Sequence, residues 1–184
     1  MCVTFFEMTD HSKNSTNLEA SAAPRIFALV VAIDRYKSPK DNLTGCRNDG
    51  KRFINFLTGV LGVPLAQIVF LADEEATQEE ILKQFEQFLI GNADIQRDDA
   101  IIFFFAGHGS RLDAPPGWVA DSDKIEILCP HDVQTIDANG KELWGISDRA
   151  IDELMRRLAF AKGDNIVCLS FSFIFVVLTE GGLF

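Results

Sequence analysis

The chain has 184 residues, 47% of them hydrophobic, and its 27 acidic and 17 basic residues give a formal net charge of −10. This length supports one α/β core and leaves little room for a second full domain. The acidic balance argues against nucleic acid as a partner and favours cationic partners. The most apolar run, residues 166–178, is shorter than the ~17–25 residues of a membrane-spanning helix, so no membrane association is predicted.

Four cysteines lie far apart in the sequence, at Cys2, Cys46, Cys129 and Cys168. Their spacing matches neither a zinc site nor a disulfide framework, which is typical of a protein in a reducing compartment. We therefore expect a cytoplasmic location.

The first elements follow a polar leader. Residues 1–24 have no hydrophobic period and end at Pro24, which predicts a flexible leader before a domain over residues 25–167. Residues 25–33 form a continuous apolar run and predict a central parallel strand. The polar segment 43–50 then connects this strand to a helix whose apolar residues recur at helical spacing from Phe53 to Leu61.

A second strand and a second helix come next. Residues 67–71 predict the strand. Thr77, with Glu80 three positions later, has the pattern of a helix N-cap, and the helix is expected to end near Gly91.

Residues 101–110 (IIFFFAGHGS) contain a strand that reads as buried on both faces and ends in a histidine. Gly107 and Gly109 flank His108, so the backbone there can adopt positive φ and approach another group closely. We therefore expect the His108 side chain to be presented rather than packed. It would lie at the carboxyl end of a strand, where open α/β sheets bind their ligands.

After His108 the composition of residues 111–123 predicts irregular structure. Residues 125–129 then predict a strand, Ser147 and Asp148 predict the start of a helix, and Ile166 begins another strand. The resulting order predicts an α/β fold with a mostly parallel central sheet and helices on both faces.

By itself, a glycine-flanked histidine can be a general base, a metal ligand or a turn residue. His11 and His131 lie in separate segments, so their spacing does not support a metal site. As a general base, His108 would need a nucleophile from a neighbouring strand end.

Several blocks of the sequence stand out in colinear order. They are residues 27–34 (FALVVAID), Tyr36 with Lys37, residues 43–50 (LTGCRNDG), residues 101–110, residues 127–132 (ILCPHD) and residues 146–158. Through these blocks the chain resembles the caspase-like cysteine peptidases in their metacaspase branch, particularly the fungal type. The similarity covers roughly residues 25–167.

This resemblance implies a caspase-like three-layer fold and an endopeptidase whose His–Cys dyad cleaves peptide or protein substrates after Arg or Lys. His108 matches the catalytic histidine, and the Gly109 N–H would help to hold an oxyanion. Cys46 and Asp49 match positions of the substrate pocket, with Asp49 as the counter-charge for a basic side chain. A cap of the following helix is the alternative role for Asp49.

No cofactor is required by this resemblance, but some family members bind calcium. Asp121 and Asp123 lie in the region that corresponds to the calcium site. Because the acidic cluster is sparse here, few oxygen ligands would be available to a hard cation.

The catalytic cysteine of the family is expected within a few residues of Val167. Cys168 comes too early for that position, and no cysteine follows it. We therefore expect a domain that is incomplete at its C-terminus, a non-family hydrophobic tail over residues 168–184, and no activity from this chain alone. The alternative is a pseudo-peptidase that keeps the fold as an interaction module. The oligomeric state is not predicted.

Overall fold

A computed structural model describes residues 25–114, 117 and 123–174 of the chain. The predicted leader, Asp121 and residues 175–184 of the predicted tail lie outside these described residues. The strands are β1 (Ile26–Ala32), β2 (Ile68–Ala72), β3 (Ala100–Asp113), β4 (Lys124–Leu128), β5 (Thr135–Ile136), β6 (Glu142–Leu143), β7 (Ile146–Ser147) and β8 (Ile166–Ile174). The helices are α1 (Cys46–Gly59), α2 (Gln78–Gln84), which a π-helical segment over Phe85–Ile90 continues, and α3 (Asp148–Lys162).

Six of these strands form the central sheet, in the order β2-β1-β3-β4-β7 with β8 paired to β3. β1 is parallel to β2 and to β3, and β8 is parallel to β3. β4 and β7 extend the sheet in antiparallel pairings, while β5 and β6 form a separate hairpin. The mostly parallel sheet predicted from the sequence is confirmed.

Alternate residues of β3 face opposite sides of the sheet, so its run of apolar residues makes both faces apolar. Helices cover both of these faces. On one face, Phe53 of α1 stacks on Phe104 with ring centroids 4.7 Å apart. On the other face, Phe103 meets the edge of the Phe85 ring, and Leu158 of α3 joins the same core. β3 is therefore buried on both faces, as its run of apolar residues predicts.

The predicted N-caps of α2 and α3 are confirmed. The Thr77 hydroxyl accepts a hydrogen bond from the Glu80 N–H at 3.2 Å, and the Ser147 hydroxyl accepts one from the Ala150 N–H at 3.2 Å. Both bonds satisfy donors that the first turn of a helix leaves unpaired.

Two boundaries differ from the sequence prediction. α1 begins at Cys46, within the polar segment expected to be a connection. β3 continues to Asp113 through residues expected to be irregular, because β4 pairs with it from Gly109 to Asp113. The local composition of residues 111–113 does not reveal this long-range pairing.

Every helix in the described part of the chain is too short or too polar to cross a membrane.

Gly50 of α1 offers a test of the close packing between helix and sheet. A Cβ at this position would lie 2.8 Å from the Ala32 Cβ and 3.0 Å from the Phe70 ring. Although alanine is the better helix former by about 1 kcal/mol, we expect Gly50→Ala to lower the free energy of unfolding in urea by roughly 1–3 kcal/mol through overpacking.

Gly59→Ala, in the same helix, is the matched control. A Cβ at Gly59 meets nothing within 4 Å, so this variant should be neutral or more stable by about 0.4–1 kcal/mol. Equal effects of the two substitutions would contradict the packing argument.

Candidate active site

Tyr36, which follows β1, determines where the backbone of His108 lies. Its hydroxyl accepts a hydrogen bond from the His108 N–H at 2.8 Å, and the two rings lie 5.1 Å apart. Tyr36 is buried, and burial raises the pKa of its phenol well above the ordinary value. The neutral phenol is thus a permanent partner for a main-chain donor that would otherwise be buried unpaired.

The His108 side chain forms a hydrogen bond with the main chain of the loop that follows Tyr36. Its Nε2 lies 2.8 Å from the Asp41 carbonyl oxygen. Because a carbonyl oxygen can only accept, Nε2 carries the hydrogen, and Nδ1 is the basic nitrogen of the neutral ring. The chain thus holds the imidazole in the tautomer in which Nδ1 can accept a proton.

The expectation that His108 is presented rather than packed is wrong. The residue is only 6% exposed and lies within β3 rather than at its end. The pairing of the following residues with β4 prolongs the strand beyond His108.

The expectation of positive φ at the flanking glycines is also wrong, since neither Gly107 nor Gly109 is in the left-handed region. The expected close approach is confirmed at Gly107, where a Cβ would lie 2.9 Å from the Tyr36 hydroxyl oxygen. Gly109 lies between Leu128 of β4 and Ile174 of β8. Its role as an oxyanion donor stays a prediction.

Cys129 is a close neighbour of His108 that the sequence did not single out. Its N–H donates to the His108 carbonyl oxygen at 2.9 Å, and β4 runs antiparallel to β3 here, so the two residues lie opposite each other with side chains on one face. Burial, and next the charge of Asp41, raise the pKa of the Cys129 thiol to about 12. The group is therefore a neutral thiol at neutral pH.

His108 and Cys129 line a small cavity of about 30 Å³, enough for one or two water molecules. The Ser110 hydroxyl also lines it and has no hydrogen-bond partner among the described residues. The cavity is otherwise lined by Tyr36, Asp41, Leu112, Ile127, Val133, Gln134 and Trp144.

The register of β8 shows which residue faces the histidine across the sheet. Phe173 lies opposite His108, whereas Cys168 lies opposite Phe103. At about 3.3 Å per residue, this difference of five residues separates Cys168 from the histidine by roughly 16 Å along the strand. Cys168 is therefore too far from His108 to form a dyad with it.

Asp34, two residues after the end of β1, caps α1. Its carboxylate accepts hydrogen bonds from the Cys46 N–H at 2.8 Å and the Arg47 N–H at 3.3 Å. The capping role considered for Asp49 thus belongs to Asp34. Burial, followed by the charges of Asp34 and Asp49, raises the pKa of the Cys46 thiol to about 11.

Asp49 keeps its carboxylate open to solvent. The side chain is 55% exposed, and its ion pair with the Arg52 guanidinium, at 3.7 Å, is solvent-screened. Asp49 precedes Gly50, which packs on Ala32 at the end of β1. The carboxylate therefore lies at the same end of the sheet as His108.

Asp73 is a structural residue that the sequence analysis missed. It is buried, and one carboxylate oxygen accepts from the Asp34 N–H at 2.8 Å and the Arg35 N–H at 2.9 Å. The other oxygen pairs with Arg47 at 3.1 Å. An aspartate one or two residues after a buried strand is the signal that could have identified both Asp34 and Asp73.

Of the two predicted calcium ligands, Asp121 lies outside the described residues and Asp123 is exposed. In residues 25–114, 117 and 123–174, no three His, Cys, Asp or Glu side chains cluster as a metal site would require. Calcium binding stays an untested prediction.

Residues 25–143 match the sequence profile of the family described as the caspase domain. The chain belongs to this family. Metacaspase-3 of Arabidopsis thaliana is 32% identical over 59% of the chain, and Metacaspase-1 of Candida glabrata is 30% identical over 59%. The chain covers 30% and 28% of the length of these two relatives.

A likeness to a solved structure supports the fold of this caspase domain. A crystal structure of a protein from Geobacter sulfurreducens superposes with a TM-score of 0.56 over 82% of the chain and 50% of its own length, at 16% identity. The predicted caspase-like fold is confirmed.

The buried phenol of Tyr36 can be tested directly because it is the single tyrosine of the chain. We expect the ultraviolet absorbance of tyrosinate to be absent from the folded protein at a pH near the ordinary pKa of about 10 and to appear only on unfolding. Because the folded-state pKa is raised, stability should fall as the pH rises above the unfolded value.

Tyr36→Phe supplies the control for this titration. It should remove the absorbance change and also lower the free energy of unfolding at neutral pH by about 1–3 kcal/mol, because the His108 N–H loses its acceptor. A normal titration in the folded state would contradict the burial.

Proposed function

We propose that this caspase domain is the histidine-bearing part of a metacaspase-type cysteine endopeptidase that cleaves peptide or protein substrates after Arg or Lys. The observation that carries the proposal is the restraint on His108, whose main chain is bonded to Tyr36 and whose Nε2 is bonded to Asp41. Because the Nε2 hydrogen of His108 is donated to a carbonyl oxygen, Nδ1 is the basic nitrogen of the ring. A general base requires such a nitrogen to accept a proton.

In this proposal, the Nδ1 atom of His108 takes the thiol proton of a cysteine supplied at the neighbouring strand end. The resulting thiolate attacks the carbonyl carbon of the scissile bond. The Gly109 N–H would then stabilise the oxyanion, and the imidazolium would return its proton to the leaving amine.

The preference for a basic residue is supported by the charges at the start of α1. Asp49 lies in the first turn of α1, and its side chain is 55% exposed. The net charge of −10 also favours a cationic substrate. A guanidinium or ammonium group can pair with Asp49 without displacing a buried interaction.

The chain as it stands is proposed to be inactive. Phe173 holds the position in β8 opposite His108, and Cys168 lies roughly 16 Å away along the strand. Cys129 lies close to His108, but its raised pKa keeps it protonated, so it is a poor nucleophile.

A fluorogenic peptide ending in Arg or Lys tests the proposal. We expect no turnover by the chain as given, and turnover by the same chain joined to a family segment that supplies the cysteine. His108→Ala in the joined chain should reduce the rate by about 10²–10⁴-fold. Turnover by the chain as given that is abolished by His108→Ala would overturn the proposed inactivity, and no turnover by the folded joined chain would overturn the proposed enzyme.

Asp49→Asn in the joined chain tests the basic specificity. Loss of a charged partner should lower kcat/KM for the Arg and Lys peptides by roughly 10- to 100-fold, with little effect on a peptide that has a neutral residue there. Asp148→Asn is the matched control because Asp148 is also an exposed acidic residue in the first turn of a helix. Equal effects of the two substitutions would count against Asp49 as the specificity residue.

A further inference from the structure

The cavity beside His108 contains a hydroxyl group to which the proposed mechanism gives no role. Ser110 lines this cavity and is 6% exposed. Its Oγ atom has no hydrogen-bond partner among the described residues. Because a buried hydroxyl without a partner is unfavourable, its position in a cavity points to a ligand group that completes it.

The rest of the cavity is mostly apolar and reaches the surface. Leu112, Ile127 and Val133 form part of its wall, and Trp144, which also lines it, is 46% exposed. The volume is about 30 Å³, whereas one water molecule needs roughly 10–15 Å³ of such space. The cavity therefore accepts a group of about two or three non-hydrogen atoms, the size of a serine or threonine side chain. An aromatic or long side chain is too large for it.

The cavity and Asp49 belong to opposite faces of the sheet. Cys129, which lines the cavity, is part of the core around Phe103. Asp49 is a residue of α1, which packs on the other face against Phe104. His108 lines the cavity and lies at the end of the sheet where Asp49 is found. A substrate that contacts both Asp49 and the cavity must therefore cross the end of the sheet beside His108.

An extended peptide can contact both, because its successive side chains point to opposite sides of the backbone. In the proposed reaction, a basic side chain pairs with Asp49, and the peptide bond that follows it is cleaved beside His108. The next side chain of the substrate then points away from Asp49, towards the face of the sheet that holds the cavity.

We propose that this cavity is the subsite for the residue that follows the scissile bond, and that it selects threonine or serine there. The Ser110 hydroxyl forms a hydrogen bond with the side-chain hydroxyl of that residue, and the methyl group of threonine packs against the apolar wall. This inference rests on the proposed endopeptidase function and names a further part of its substrate. Occupation of the cavity by water alone is an outcome of the tests below.

Peptides that differ in one residue test the inference in the joined chain that carries the family cysteine. Each internally quenched peptide has Arg before the scissile bond and threonine, valine or phenylalanine after it. Threonine and valine have nearly the same shape, so a difference between them reports the hydrogen bond. We expect kcat/KM to be about 2- to 10-fold higher for the threonine peptide than for the valine peptide. The phenylalanine peptide should have the lowest value.

Ser110→Ala removes the proposed hydrogen-bond partner. In the folded joined chain, this variant should cleave the threonine and valine peptides with equal kcat/KM. Thr58→Val is the matched control, because it removes a hydroxyl of α1 that donates to the Ile54 carbonyl oxygen at 3.0 Å. Thr58 does not line the cavity, so this control should keep the preference for threonine.

Trp144→Ala gives a second measurement that does not depend on the Ser110 hydroxyl. Because it removes part of the cavity wall, it should admit a larger side chain. We expect it to raise kcat/KM for the phenylalanine peptide, relative to the threonine peptide, by roughly tenfold. Phe160→Ala is the control, since Phe160 is also an exposed aromatic residue, at 89%, but lies on α3.

Three results would overturn this inference and leave the proposed function intact. They are equal kcat/KM values for the threonine and valine peptides in the folded joined chain, a threonine preference that folded Ser110→Ala retains, as it would if the cavity held only water, and a Trp144→Ala variant that behaves like Phe160→Ala. Failure of the folded joined chain to cleave any of the peptides would overturn the proposed function and this inference with it.

Discussion

The central constraint on this caspase domain is the exchange of partners along one edge of β3. The strand pairs with β1 as far as Ala106 and with β4 from Gly109 onwards. His108 lies between these two ladders, and its main-chain N–H donates to the Tyr36 hydroxyl. The position of the histidine therefore follows from the need to satisfy a buried donor.

A second constraint is the crowding of carboxylates at the same end of the sheet. The Asp34 carboxylate accepts a hydrogen bond at the N-terminus of α1. The Asp73 carboxylate accepts a hydrogen bond from the turn after β1 and forms an ion pair with Arg47. Both are stabilised by main-chain N–H groups, which favour negative charge. The Asp49 carboxylate is instead exposed and pairs with Arg52 at 3.7 Å. Because this pair is screened by solvent, the charge of Asp49 is available to a ligand.

The register of β8 decides which residue stands beside the histidine. Parallel pairing with β3 sets Phe173 opposite His108 and Cys168 opposite Phe103. The proposed inactivity of the chain alone therefore arises from the pairing of this one strand.

The elements with local signals could be predicted from the amino-acid sequence. The apolar runs predicted β1 and β3, Thr77 and Ser147 predicted the helix starts, and the colinear blocks predicted the family. Other features depend on contacts between distant segments and became visible only in the folded chain. The burial of His108, the continuation of β3, the placement of Cys129 and the capping of α1 by Asp34 rather than Asp49 all arise from strand pairing and side-chain contacts across the sheet, which no local pattern of residues encodes.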